Sequence, residues 1–518
     1  MIGTGPRASA ERWFRIDGIR SDLGAKSVRS GMHAVSARIA QGVLGIGSTM
    51  VLARLLQPAD FGVLAMVLPL TFLFNGLANS GLQAAIIHEE ELDHDKASAF
   101  FRSSALVNLV LACLFAASGP LLARLYDDPR ASGVAMAWAA FLWFATLSAT
   151  HEALLKRQLR FASVLSVRIV AFAIGVGAAI GAALLGAGHW ALLIQWAVLD
   201  LVRTCAMWWL CRWRPSLRRR DGDRVGTSAM RRYWRNLAGY RLLNWFAVHP
   251  DRILVGSLGG ATLLGLYDSA RRWAFYPAVE LFQSLADVAV ATFSRVAHDA
   301  ERYRAFLTRG MLPVLALPLP MITFIFADTR NVIVVLLGSQ WLDAIPFVRL
   351  MCVASFFGSL ARVTQWFYLS RGDTDRQLRW ALFAQTPGML AAVLIGTKWG
   401  AIGVATGFTI GTSLLAIPGI LYCLKGTPVG VRDFAAAAAR PVLGAAGAGA
   451  LLLLTTGALP HFGAALPDLM LRLALFGAAY AAAWFALPGG RRDAAQVLAV
   501  LRELRRRPPA PGESLTPV

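Results

Sequence analysis

ARLLQPADFGVLAMVLPLTFLFNGLANSGLQAAII, residues 53 to 87, is the stretch that decides the fold. It reads as the apolar exit of one membrane helix, a tight turn over Pro58 to Gly62, and a second helix long enough to cross a bilayer. A helix needs about 20 mainly apolar residues to span a hydrocarbon core of about 30 Å. Searching outward with that window places about fourteen such spans along the 518 residues. They lie near 34–55, 60–84, 98–118, 133–153, 162–186, 189–211, 236–258, 263–294, 311–327, 345–369, 378–397, 400–424, 436–458 and 468–487. The intervening run TRNVIVVLLGSQWLDA (residues 329–344) has the character of an interfacial helix or a loop.

Composition points the same way. Hydrophobic residues make up 56% of the chain and charged residues only 16%, with a mean hydropathy of +0.54; a soluble fold would be left with far too much apolar surface. The net charge of +21 comes from Lys and Arg in short connections and tails, not from a separate basic module. Those connections alternate, so the positive-inside rule places both termini and the segment RWRPSLRRRDGDRVGTSAMRRYWR (212–235) in the cytoplasm. Anionic lipid head groups, and not nucleic acid, are the partners this charge fits. The first thirty residues hold no apolar run of the signal-peptide kind and read as a surface tail.

The expected fold class is therefore all-α: a polytopic transmembrane bundle of about fourteen spans, with two six-helix lobes and two further C-terminal helices. Its parts are a tail (1–33), an N-terminal lobe (34–211), a basic inter-lobe loop (212–235) expected to act as a hinge, a C-terminal lobe (236–424), two extra spans (425–487) and a basic tail (488–518). The lobes rest on a weak internal repeat in which LARLLQPADFGVLAM and LVGSLGGATLLGLYDSA align Gly62 with Gly265. Parallel repeats of this kind are a common transporter plan, with the substrate held between the lobes.

Two blocks carry a family resemblance. Ala53–Ile87 and HPDRILVGSLGGATLLGLYDSARR, residues 249 to 272, resemble the polysaccharide-exporting branch of the MOP superfamily, the Wzx-type flippases. The resemblance implies translocation of an oligosaccharide on a polyprenyl pyrophosphate across the bacterial inner membrane. It implies service to lipopolysaccharide, capsule or exopolysaccharide assembly, alongside a polymerase and chain-length machinery.

The polar residues inside the spans name the expected cavity. Charged side chains at membrane depth are costly, so those present should face partners or water. On helical projection Arg38, Gln41, Gly45 and Ser48 share one face, as do Asn75, Asn79 and Gln83. Arg241, Asn244 and Asp251 align in the seventh span, and Arg272, Tyr276, Glu280, Gln283 and Asp287 in the eighth. Ser355, Ser359 and Arg362 share a face in the tenth. Guanidinium groups suit phosphate oxygens, while amides and hydroxyls exchange hydrogen bonds with sugars. The expected substrate cavity is thus Arg38, Gln41, Asn75, Asn79, Arg241, Asn244, Asp251, Arg272, Tyr276 and Arg362. Glu280 and Asp287 are candidates for H+ or Na+ coupling, and Asp200 with Arg203 reads as an internal ion pair.

No cofactor or metal site is expected. Cys113, Cys205, Cys211, Cys352 and Cys423 lack metal spacing, and the eight His are dispersed. Neither a P-loop nor a nucleophile motif is present, so the chain reads as a transporter and not an enzyme. Two rival classes remain. A MATE-like drug or cation antiporter would need buried carboxylates in the N-terminal lobe. A membrane polysaccharide polymerase or ligase would need a catalytic external loop.

Overall fold

The computed structural model describes residues 41–78, 86, 92–216, 245, 249–296, 299–460, 462–486 and 490. It divides into two compact units, one running to His249 and the other beginning at Pro250. Among the described residues every regular element is helical.

In the first unit α1 covers 41–55, followed by α2 (Pro58–Ala78), α3 (His94–Ala117), the short α4 (Gly119–Tyr126), α5 (Arg130–Arg157), α6 (Phe161–Leu184) and α7 (His189–Cys211). The turn read at Pro58–Gly62 is shorter than expected. Only Leu56 and Gln57 leave the helix, and Pro58 already opens α2, because proline is preorganised for a first helical turn. The Asp60 carboxylate accepts from the Gln57 amide at 3.0 Å and closes that end. Asp93 caps α3 in the same way through the Lys96 amide.

The loop between α4 and α5 is held by Asp128, which takes the Arg130 guanidinium at 2.7 Å. Arg130 beside it holds the Asp128 carboxyl below the usual aspartate range, against the opposing effect of burial.

The second unit begins with α8 (Pro250–Val296), which is not one straight rod. Asp251 accepts from Tyr267 at 2.5 Å and is also bound by Arg271, sixteen and twenty residues further on. A straight helix would separate these by about 24 and about 30 Å. The chain therefore folds back at Gly260, whose φ of 66° and ψ of −168° only glycine adopts readily. The offset that aligns Gly62 with Gly265 carries Gln57 onto Gly260, so both breaks fall at matching positions of the expected repeat.

Then come α9 (Ala300–Ala316), α10 (Pro318–Ala327), α11 (Thr329–Leu336), α12 (Ile345–Arg362), α13 (Thr364–Arg371), α14 (Thr374–Trp380), α15 (Thr386–Gly396), α16 (Gly400–Leu424), α17 (Val431–Thr455) and α18 (Ala465–Ala486). The run 329–344 is helical: α11 is followed by a 3-10 turn at Ser339–Ala344. The α15 and α16 backbones touch, since a Cβ at Gly403 would stand 2.1 Å from the Gly396 carbonyl oxygen, and one at Gly407 would stand 2.2 Å from that of Ala392. Glycine at a membrane helix interface allows this approach.

The last two helices belong to the same core as the rest of the unit. Phe434 and Ala438 of α17 pack with Met311, Leu315 and Trp366, and Phe476 of α18 packs with Phe324. Arg472 of α18 also reaches Asp328 at 2.8 Å. Burial pushes the Asp328 carboxyl up, although Asn331 and Arg472 both pull it down.

Eleven stretches among the described residues are long and apolar enough to cross a membrane. The difference from fourteen has three sources. Only 41–55 of the first expected span is described. Residues 236–244 and 246–248 of the seventh lie outside the described residues, and what remains of it runs on with the eighth in the single apolar stretch Pro250–Glu280, while the eleventh and twelfth, separate helices in the structure, together form the single stretch Thr374–Leu424.

Candidate functional site

A polar cavity of about 400 Å³ lies inside the first unit, walled by α2, α3, α5, α6 and α7. Asn75 comes from α2, Ser104 and Asn108 from α3, Thr146 and Glu152 from α5, Arg168 from α6, and Asp200 and Arg203 from α7. Trp138, Phe141 and Trp196 form an aromatic wall, with the two indole rings 5.8 Å apart. Polar groups and flat aromatic faces together suit a ligand with both hydroxyls and apolar ring faces.

The charges are arranged in order of depth. Glu152 is 5% exposed and sits between Lys156 at 2.7 Å and Arg168 at 2.5 Å. Arg168 keeps 41% of its side-chain surface exposed. Asp200 and Arg203 pair at 2.7 Å, as the sequence reading expects. In both pairs the guanidinium keeps more exposed surface than its carboxylate, so the donor side of each pair is the more available to a ligand. The buried Asn108 donates to the Ser104 carbonyl at 2.9 Å, and its own amide oxygen has no hydrogen-bond partner among the described residues.

A second concentration of charge sits across the α8 hairpin. Asp251 holds Tyr267 and Arg271, while Asp268 holds Arg252 at 2.7 Å and Arg272 at 3.4 Å. Arg271 also lies over the Phe408 ring, 4.6 Å from its centroid. Here acids and bases neutralise one another's charge, which lowers the cost of keeping them at membrane depth.

Of the residues expected to line a substrate cavity, Asn75 lines the one described. Asp251 and Arg272 both fall in the hairpin cluster but on different partners, Asp251 on Tyr267 and Arg271 and Arg272 on Asp268. Gln41 is half-buried on α1, and Tyr276 and Glu280 follow Arg272 at one-turn intervals along α8. Arg362 ends α12 with its guanidinium 6.0 Å from the Phe282 ring centroid, and no carboxylate among the described residues pairs with it. Arg38, Asn79, Arg241 and Asn244 lie outside the described residues, as does the side chain of Asp287.

Glu152, Arg168 and Asn108 were not singled out from the sequence. Their signal was there: Arg168 stands inside the window 162–186, Asn108 inside 98–118, and Glu152 at the end of 133–153. Any of them inside an apolar run is a reason to look for a partner or a wet surface.

The family described as polysaccharide biosynthesis protein matches residues 51–346. The succinoglycan biosynthesis transport protein ExoT of Rhizobium meliloti (strain 1021) is 24% identical over 432 residues, which are 82% of this chain and 84% of that protein. The lipopolysaccharide biosynthesis protein WzxC of Escherichia coli (strain K12) is 21% identical over 373 residues, 71% of this chain and 74% of that one. Among solved structures, the lipid II flippase MurJ in an inward closed conformation matches with a TM-score of 0.66, over 92% of this chain and 100% of its own, at 14% identity. An inward-facing multidrug resistance MATE family transporter of the MOP superfamily matches with a TM-score of 0.57 over 76% of this chain and 97% of its own, at 16% identity. These two likenesses establish the fold.

Proposed function

This chain belongs to the family of polysaccharide biosynthesis proteins, and from that premise we propose that it is a flippase for polyprenyl-pyrophosphate-linked oligosaccharide. It moves its cargo by alternating access from the cytoplasmic to the periplasmic leaflet of the bacterial inner membrane, with both termini cytoplasmic. The product feeds lipopolysaccharide, capsule or exopolysaccharide assembly, and a polymerase with chain-length machinery receives it. The names of ExoT and WzxC support the saccharide reading.

The observation that carries it is the first-unit cavity. Guanidinium donors at Arg168 and Arg203, amides at Asn75 and Asn108, and the Trp138–Trp196 wall surround one cavity. Saccharide hydroxyls exchange with the amides, ring faces lie on the indoles, and an anionic group meets the guanidinium forks. The prenyl chain stays in lipid. The cavity carboxylates Glu152 and Asp200 are each bound by a guanidinium, which leaves no uncompensated negative charge to draw in a cationic drug. Coupling to H+ or Na+ is assigned to Glu280 or Asp287, and no cofactor is required.

The test is made in cells lacking the chain, complemented with the wild type or with Arg168→Gln. Loss of surface glycan, with build-up of the cytoplasm-facing lipid intermediate that Arg168→Gln does not correct, supports the reading. Unchanged surface glycan in the deletion strain overturns it.

A further inference from the structure

Residues 212–216, which open the basic segment 212–235, form no helix and lie clamped against the first unit. Their carbonyls are taken up in turn. The Trp213 oxygen meets His151 Nε2 at 3.2 Å, the Arg214 oxygen meets His94 Nε2 at 3.2 Å, and the Ser216 oxygen accepts from Arg102. The Ser216 amide donates to Ser98 Oγ at 3.0 Å. Any hinge within 212–235 therefore starts beyond Ser216.

The clamp has an aromatic centre. Trp213 is fully buried, with its ring 6.3 Å from Phe101 of α3 and 5.3 Å from His151 of α5. Trp208 of α7 stacks on His151 at 4.5 Å. Around Trp213, α3 thus contributes His94, 6.0 Å from the indole, together with Phe101, while α5 contributes His151 and α7 contributes Trp208. The same three helices wall the polar cavity, and the ring layer follows it closely along each of them. Phe101 is one turn from Ser104, His151 is next to Glu152, and Trp208 is five residues from Arg203. At a rise of about 1.5 Å per residue, the layer begins within about 8 Å of the cavity lining.

Two features lower the cost of releasing the strap. Arg212, which turns the chain from α7 into the strap, has a φ of 52°, in the left-handed region that disfavours a side chain. The Trp213 indole N–H is buried and finds no acceptor among the described residues, although a buried donor normally finds one. An unsatisfied donor and a left-handed residue both weaken the seated state relative to the released one.

We propose that residues 212–216 are a removable gate, with Trp213 as its plug, closing the α3–α5–α7 end of the polar cavity. Lifting Trp213 out of the ring layer opens the cavity at the end from which the basic segment continues. This holds whatever the cavity carries, so it can fail or succeed independently of the flippase reading.

The test follows access on the purified full chain in nanodiscs. Ala149→Cys places a thiol in the cavity wall on a background with the five native cysteines replaced, and a charged methanethiosulfonate reagent reports its exposure. A companion protein keeps only Cys211, which is buried beside Trp213 in the same cluster and reports release of the strap. Trp213→Ala is expected to speed labelling at both thiols by about tenfold or more. A Ser98→Cys, Ser216→Cys pair, oxidised across the strap, is expected to slow labelling of the cavity thiol, and reduction is expected to restore it. The disulfide pair leaves the ring layer intact, so it tests the gate even if Trp213→Ala does not fold. The proposal is overturned if the cavity thiol labels at one rate in the wild-type background, in Trp213→Ala and in the locked pair. It is also overturned if Cys211 is freed by Trp213→Ala while the cavity thiol is unaffected.

Discussion

Glu152 of α5 and Arg168 of α6 meet at 2.5 Å on the wall of the first-unit cavity, the acid buried and the base partly open. Arg168 therefore has donors left over for a ligand, while Glu152 keeps Lys156 as a second partner at 2.7 Å.

Arg168→Gln is expected to lower the initial rate of lipid-linked saccharide translocation by about 10- to 100-fold, the worth of a charge-assisted hydrogen bond. Arg168→Lys keeps the charge without the planar fork and falls less. Because Arg168 is more than a third exposed and Lys156 stays on Glu152 at 2.7 Å, stability changes by no more than about 1 kcal/mol in either variant. A proteoliposome flipping assay and thermal unfolding of the same preparations separate the two effects.

Removing Arg271 leaves Asp251 buried at 2% side-chain exposure without its guanidinium. Arg271→Ala is expected to cost about 3–5 kcal/mol. Equilibrium unfolding in mixed micelles measures it, and a loss below about 1 kcal/mol would show that Tyr267 alone satisfies the acid.

At Gly260 any side chain meets a backbone conformation that glycine alone tolerates. Gly260→Ala should cost about 1–3 kcal/mol and loosen the hairpin, which hydrogen exchange at residues 251–271 would register as lost protection.

Gly407→Ala places a methyl group 2.2 Å from the Ala392 carbonyl oxygen. The α15 and α16 backbones must part, at an expected cost of about 1–3 kcal/mol. A variant as stable as the wild type in micelle unfolding would contradict that close approach.

The Asp128 carboxyl is lowered by its hydrogen bond to Arg130. Its contribution to stability is fully present above the unfolded aspartate value of about 3.9 and is lost as pH falls through the lower folded value. Tm should therefore drop on acidification in the wild type. Asp128→Asn should lack this part of the drop, so the two Tm curves converge at low pH.

The spans were legible because a bilayer demands about 20 apolar residues in a row, a property of consecutive positions. The pairing of Asp200 with Arg203 was legible for a related reason, since three residues along a helix is one turn. The bond from Glu152 to Arg168 depends on which face of α6 meets α5, and Asp251 to Arg271 depends on the turn at Gly260. Both involve residues that an unfolded reading puts far apart. The strap was hidden for another reason: RWRPS carries the charge and proline of an exposed connection, and only the ring layer beneath it makes Trp213 an interior residue.

The α8 hairpin also constrains how the protein is made. Its first limb carries Asp251 and Arg252, and the second carries Asp268, Arg271 and Arg272. A charge presented singly to lipid costs about 2.5–3.5 kcal/mol on insertion scales, so neither limb enters comfortably by itself. Once both are present the acids and bases neutralise one another across Gly260. During biosynthesis the two limbs are thus best released into the bilayer as a pair, and the ribosome must have passed Arg272 before the segment beginning at Pro250 can settle.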